Sequence, residues 1–225
     1  ETNALHWTVL VMTPNAFRAL TLLAAALISG CDNWPGGGVN VSGPEMPRLG
    51  QTLALRTGMV VADVGAGKGQ LTLALAGAVG SAGHVFSSEI DPARLRALRE
   101  AVTAARLSHV TVVEAKTSES GLPAGCCDAI VLRRVYHHLT DPVATIASLR
   151  RALRPGGLLA VIDFPPLFFL PDRSSLGIAP QIVINEVTAS GFEKLQLLTD
   201  WPGRGPFASY CVLFRKPWGV KSRSH

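Results

Sequence analysis

The stretch that decides the fold is Val60-Val61-Ala62-Asp63-Val64-Gly65-Ala66-Gly67-Lys68-Gly69. Apolar residues lead into an acid, and glycine then occupies positions 65, 67 and 69. A short apolar run bounded by turn residues reads as a strand buried on both faces, the habit of parallel sheets. The glycines read as a tight turn where backbone approaches a ligand closely, because no Cβ stands between them. Gln70 to Val79 follows as a helix whose first N–H groups point at whatever the turn holds.

The glycine spacing separates two readings. A dinucleotide-binding turn asks for G-x-G-x-x-G. Here the order is G-x-G-x-G, with Asp63 two residues ahead of it. This resembles motif I of the class I S-adenosylmethionine-dependent methyltransferases. In that family the loop packs against the methionine part of the cofactor, which has no pyrophosphate. A glycine-rich turn without a ligand is the competing reading, and the order of elements downstream weakens it.

Working outward, Arg48 to Leu55 reads as a short helix stopped by Gly58, and strand one as Met59 to Asp63. Strand two runs from His84 to Ser88 and ends in Glu89. A helix follows over Pro92 to Ala105, with Leu95, Leu98 and Val102 on one face. Strand three is Val110 to Glu114 and strand four Asp128 to Leu132. A helix over Pro142 to Leu153 is closed by Pro155-Gly156-Gly157, and strand five is Leu158 to Ile162. This alternation predicts an α/β domain with a doubly wound, mostly parallel sheet. After a helix over Pro180 to Ser190, the strands Phe192 to Leu198 and Ala208 to Phe214 lack room for a crossover helix. They therefore pair antiparallel. A parallel sheet closed by one antiparallel C-terminal strand resembles the seven-stranded, Rossmann-like class I methyltransferase sheet, over about Arg48 to Pro217.

Open parallel sheets bind ligands beyond the carboxyl ends of their strands. Asp63 ends strand one, where it would orient the glycine loop by accepting backbone N–H groups. Glu89 ends strand two, and its carboxylate can accept both ribose hydroxyls; Asp91 reads instead as a helix cap. The resemblance thus places Asp63, Gly65, Ala66, Gly67, Gly69, Glu89 and Ile90 at S-adenosylmethionine. After strand three the family sets a short polar or acidic residue near the adenine amine. The simplest equivalent here, Lys116, cannot accept from that amine, which leaves Ser118 or Glu119. After strand four, Arg133-Arg134-Val135-Tyr136-His137-His138-Leu139-Thr140-Asp141-Pro142 resembles the YHHL-x-DP segment of many members. There Arg133 or Arg134 flanks the cofactor, and Tyr136 and His137 face the substrate side. A histidine could deprotonate an acceptor near neutral pH; packing under the helix is its structural alternative. Asp163 ends strand five, where a structural role is expected. Phe164-Pro165-Pro166-Leu167-Phe168-Phe169-Leu170-Pro171 reads as a proline-stiffened lid over a small, apolar acceptor, or a membrane-facing patch.

The sequence has 225 residues, of which 48% are hydrophobic, and a net charge of +5. It reads as one domain with appendages and shows no nucleic-acid signature. Arg215, Lys216, Lys221 and Arg223 read as part of a solvated basic end. Cys31, Cys126, Cys127 and Cys211 form no C-x-x-C pair, so neither zinc nor a redox dithiol is expected. Adjacent Cys126 and Cys127 are not expected to bridge. The first methionine is Met12. From it run Arg18, an apolar stretch from Ala19 to Ile28, then Ser29-Gly30-Cys31, the pattern of a secretory signal peptide. Leu27-Ile28-Ser29-Gly30-Cys31 resembles the lipobox of bacterial lipoproteins. That implies a lipidated Cys31, a membrane tether and a place in the cell envelope; without it, the enzyme is cytoplasmic. Residues 32–47, rich in Gly and Pro, read as a linker.

The expectation is a methyltransferase acting on a small-molecule acceptor, without a metal. A non-catalytic lipoprotein that binds a nucleoside-like ligand, and a nicotinamide-dependent oxidoreductase, are the alternatives. The glycine spacing and the antiparallel ending speak against the oxidoreductase.

Overall fold

The computed structural model describes residues 43–166, 171–174, 176–202 and 209–219. The signal segment, the lipobox at Cys31 and residues 32–42 of the expected linker lie outside them, as do Leu167 to Leu170, Lys221 and Arg223. The chain divides into two units, Glu1–Gly38 and Val39–His225, and every described residue belongs to the second.

Nine strands and five α-helices are described. In chain order they are α1 Glu45–Thr52, β1 Val60–Val64, α2 Gln70–Val79, β2 His84–Glu89, α3 Pro92–Ala104, β3 Val110–Glu114 and β4 Cys127–Arg133. A 3-10 turn at Tyr136–His138 follows, then α4 Pro142–Ala152, β5 Leu153–Asp163, β6 Arg173–Ser174, β7 Gly177–Ile178, α5 Pro180–Ala189, β8 Glu193–Trp201 and β9 Ser209–Arg215. Seven strands make one sheet in the order β3-β2-β1-β4-β5-β9-β8. β9 is antiparallel to both β5 and β8, and the remaining pairs are parallel. The expected seven-stranded, mostly parallel sheet is present. Its strand order turns around between β1 and β4, which opens a crevice at their carboxyl ends.

Alternation along the central strands divides the core into two layers. Ala62, Val64, Ile130, Leu132 and Val161 face α4 and α5. Val61, Val131, Ala160 and Ile162 face the other way, toward α1 and α2. The same local device starts α3 and α4. Asp91 and Asp141 accept the N–H of Arg94 and Ala144, and a proline takes the first helical position of each. A proline there loses nothing, because its missing N–H would have had no intrahelical partner.

Four expectations change. First, α1 begins at Glu45, not Arg48; Pro47 sits in the first turn, where proline is tolerated, so the linker ends before residue 44. Second, Pro155-Gly156-Gly157 does not stop the chain but is drawn into β5. The Gly156 N–H donates to the Lys216 carbonyl and the Lys216 N–H to the Gly157 carbonyl, each at 2.9 Å. A register shift against β4 absorbs the extra residues. Third, Arg215 and Lys216 are not a solvated end. Arg215 pairs with Glu193, and Lys216 Nζ donates to the carbonyls of Arg150 and Leu153, where a cation suits the end of α4. Contrary to expectation, the sulfurs of Cys126 and Cys127 are paired. Among the described residues, no helix is long and apolar enough to cross a membrane.

Candidate functional site

At the end of β1 the backbone turns through three glycines with φ of +72° at Gly65, +58° at Gly67 and +91° at Gly69. A side chain is strained at such angles. The surroundings differ, however. A Cβ on Gly65 would overlap Val135, and one on Gly69 would come 2.7 Å from Leu98 Cδ1. At Gly67 it would meet nothing within 4 Å. Two of these glycines thus serve internal packing, and Gly67 alone faces open space.

The loop is held by β2. The N–H groups of Gly65 and Ala66 donate to the Ser88 carbonyl at 2.8 and 2.9 Å. Glu89 does the rest. Its Oε2 accepts the Gly67 N–H at 2.8 Å, and its Oε1 accepts the N–H groups of Ile90 and Asp91 at 2.8 and 2.9 Å. Three donors on one buried carboxylate fix its orientation and leave lone-pair capacity for a ligand hydroxyl. Beside it, Ile90 exposes 52% of its surface, an apolar plate at the rim.

Asp63 does not hold the glycine loop as expected. Its carboxylate accepts the Thr72 hydroxyl at 2.7 Å, and Thr72 Oγ1 also lies 2.8 Å from Ser87 Oγ. When Asp63 is ionised, Thr72 gives it its only proton, so Ser87 must donate to Thr72. Burial pushes the Asp63 carboxyl up to about 6, against the pull of Thr72 and the nearby Arg133. Asp63 ties β1 to α2 beneath the loop. The orienting acid of the loop is Glu89.

Arg133, at the end of β4, does not stand open beside the loop. Its Nε and Nη2 make a two-pronged pair with Glu45 of α1, both at 2.9 Å. The Trp201 indole N–H donates to the same carboxylate at 3.1 Å. Glu45, 4% exposed, therefore joins three segments far apart in sequence, and α1 is locked across the crevice. A bidentate guanidinium–carboxylate pair is the geometry in which a buried charge pair is best compensated.

The residues after β4 and β5 meet over the next part of the edge. His137 Nδ1 lies 2.8 and 3.0 Å from the two Asp163 oxygens, and the His137 backbone N–H donates to Asp163 Oδ2 at 3.2 Å. Both side chains are fully buried, and the His137 ring lies 5.0 Å from that of Phe164. A carboxylate only accepts, so Nδ1 carries the proton and Nε2 is the basic nitrogen of neutral His137. Tyr136 departs from expectation. It is buried, and its hydroxyl donates to Glu186 Oε2 at 2.9 Å. Burial and the Glu186 charge push its phenol well above its usual value, so Tyr136 is no base and supports the wall instead. His138 is exposed.

Ser118 and Glu119, expected near an adenine amine, have side-chain partners within the fold. Glu119 is bound to Arg151 on α4 at 2.7 Å, and the Ser118 hydroxyl leans toward Asp141 at 3.4 Å.

Residues 62–161 match the family model for a methyltransferase domain. This central part of the chain is thus similar to methyltransferase domains. Its sequence is similar to the ubiquinone/menaquinone biosynthesis C-methyltransferase UbiE of Vibrio cholerae, 31% identical over 140 residues, which are 58% of this chain and 54% of that protein. The chain thus spans about half the length of the curated relatives it matches. By fold, this chain resembles an S-adenosylmethionine-dependent methyltransferase from Aquifex aeolicus, with a TM-score of 0.68 and 19% identity, covering 92% of this chain and 100% of that one. It also resembles the [4+2]-cyclase SpnF, with a TM-score of 0.66 and 18% identity over 77% of this chain and 81% of that one. A cyclase on the same fold shows that architecture alone does not decide the reaction. The Aquifex aeolicus protein is described as dependent on S-adenosylmethionine. The residues suit such a cofactor: open space over Gly67, an oriented carboxylate for hydroxyls, and an apolar rim at Ile90.

Four residues escape the sequence reading: Glu45, Trp201, Arg173 and Glu186. Glu45 stands in a Gly/Pro-rich stretch that reads as a linker. The only signal is that its Pro-Glu-Met-Pro setting suits a helix start, with an acid in the first turn.

Proposed function

We propose that this protein transfers the methyl group of S-adenosylmethionine to a carbon of a small, largely apolar aromatic acceptor that carries an ionisable hydroxyl, a quinol being the type. The observation that carries it is the buried His137–Asp163 pair at the ends of β4 and β5, next to the glycine loop. Similarity to quinone-pathway C-methyltransferases supports the acceptor class, and Phe164 supplies an apolar surface against His137.

When bound, the cofactor supplies an activated methyl group on a sulfonium centre. The Gly65–Gly69 backbone and Glu89 hold and orient it. Asp163 keeps the proton on Nδ1 of His137, and Nε2 takes the proton of the acceptor hydroxyl. With that proton on Nε2, the acceptor would carry the negative charge that lets its ring carbon take the methyl group the cofactor would supply. His137 would return the proton to the oxygen once that carbon has lost its own, so that one proton would be released overall. The buried setting keeps water from competing for the methyl group.

The test is transfer of labelled methyl from S-adenosylmethionine to 1,4-naphthohydroquinone under reducing conditions. Labelled product supports the reading. Tight cofactor binding without transfer to any phenol or quinol overturns it, and places the protein beside the fold's other chemistries.

As to place, the segment Leu27 to Cys31 supports an envelope protein tethered through a lipidated Cys31. Intact mass of protein from a bacterial membrane fraction tests it. A chain retaining residues 12–30 without lipid returns the enzyme to the cytoplasm.

A further inference from the structure

The wall of the acceptor half contains a cation that the catalytic reading leaves unused. Arg173 stands on the two-residue strand β6, paired with β7. This hairpin is pinned over the end of β5. The Ile178 N–H donates to the Phe164 carbonyl at 2.9 Å, and the Tyr210 hydroxyl donates to the Ile178 carbonyl at 2.9 Å. Gly177, with φ of +121°, makes the close approach possible: a Cβ there would stand 2.8 Å from the Phe164 carbonyl oxygen. The position of Arg173 is therefore set by backbone contacts on either side of Asp163.

The guanidinium is held at one end. Its Nη2 donates to both oxygens of Glu186 at 2.6 Å, and its Cζ lies 5.9 Å from the centroid of the Tyr136 ring. The other end is different. Nη1 is buried and has no hydrogen-bond partner among the described residues. A buried N–H on a charged group is rarely left without an acceptor in a native protein, unless a ligand or water supplies one. The neighbouring hydroxyls cannot play the donor's part, because Tyr136 gives its one proton to Glu186 and Tyr210 gives its own to the Ile178 carbonyl.

We propose that Arg173 is a specificity residue whose Nη1 donates to the oxygen of the acceptor hydroxyl and holds the oxyanion formed when that hydroxyl loses its proton. Glu186 fixes the fork from behind, and Tyr136 supports its flat face. A lysine could not serve in this way, since it has no rigid second arm to present once one donor is engaged. The proposal rests on the methyl-transfer reading of the same site and adds to it that the oxygen is recognised by a charge.

The experiment compares two probes on protein saturated with S-adenosylhomocysteine: 1,4-naphthohydroquinone under reducing conditions, and 1,4-dimethoxynaphthalene, which has no ionisable hydroxyl. The wild type should bind the hydroquinone at least about tenfold more tightly than the diether. Arg173→Met should bring the ratio to within about twofold, with S-adenosylhomocysteine affinity unchanged. Because Arg173→Met strands Glu186, the double variant Arg173→Met with Glu186→Gln removes both charges and keeps an acceptor for Tyr136. It should show the same loss of discrimination. Equal binding of the two probes, binding of neither, or discrimination that survives in the double variant overturns the assignment of Arg173. Failure of S-adenosylhomocysteine to bind overturns the methyl-transfer reading itself and is seen before either probe is added.

Discussion

The two halves of the sheet's carboxyl edge are built on opposite plans. Over β1 and β2 the surface is backbone: a turn of three glycines whose N–H groups are all taken up within the fold, and one carboxylate pinned by three amides. Over β4 and β5 it is side chains: His137 on Asp163, Tyr136 on Glu186, Arg173 on Glu186, and Tyr210 on a carbonyl. The first half is rigid because its conformation is local. The second is rigid because partners from five separate segments satisfy one another. A backbone surface suits a ligand that never changes, and a side-chain surface can be rewritten without disturbing the fold.

The comparison fails if damage to one half spreads to the other. The sharpest test is His137→Asn. It should lower turnover by about 10³-fold, or about 4 kcal/mol, within the range of a lost general base. Cofactor affinity, read by calorimetry, should stay within about twofold. A parallel loss of cofactor binding would make His137 a structural residue of both halves.

Next is the seam between the halves. Glu45→Ala leaves Arg133 buried without its carboxylate and removes the acceptor of the Trp201 indole. Breaking a buried pair in this way costs about 3 kcal/mol, which urea denaturation should register. Trp201→Phe loses one hydrogen bond and should cost about 1 kcal/mol. Equal losses for the two variants would mean that packing of α1, not the charge pair, holds the seam.

Beneath the donor half, Asp63 gives a pH signature. Its carboxyl is raised from 3.8 in the unfolded chain to about 6 in the fold. Between these values the unfolded chain has lost the proton and the folded chain retains it. Folding therefore takes up a proton, and this contribution to stability falls as pH rises from about 4 to about 6. At most it amounts to roughly 3 kcal/mol. Asp63→Asn should flatten that part of the stability profile, and an unchanged slope would show that another group titrates there.

An effect of about tenfold, confined to the cofactor side, is expected at Glu89. Glu89→Gln keeps one oxygen for the amides and replaces the other with donors. S-adenosylmethionine affinity should fall about tenfold, or about 1.4 kcal/mol, with turnover at saturating cofactor preserved. Unchanged affinity would remove Glu89 from the cofactor site and leave it the anchor of the loop alone.

The donor half was legible because its constraints are local. Positive φ demands glycine, and glycine at 65, 67 and 69 marks the turn in the sequence. The role of Asp63 was misassigned because a carboxylate next to a glycine turn has two sets of amide and hydroxyl donors within reach, and only the fold shows that Thr72 wins. In the acceptor half His137 was visible as a residue type. Its partner, 26 residues on, was not, since register between β4 and β5 brings Arg133 beside Ile162 and so sets Asp163 under the turn. The β6–β7 hairpin was missed because strands of two residues carry no periodicity. Glu45 was missed because glycine and proline on either side mask a single buried charge.

The reversed strand also has a consequence for how the domain comes to exist. β9 lies inside the sheet, between β5 and β8, although among the described strands it comes last in sequence. Until residues 209–215 have left the ribosome, β5 has an open edge and β8 has no neighbour to join. At synthesis rates of about 5–20 residues per second, the nascent chain exposes the unpaired side of β5 for several seconds, with Leu159, Val161 and Ile162 at its centre. Such an edge is an invitation to foreign strands. Seven late residues thus close the sheet and end the period in which the newborn chain is most open to aggregation.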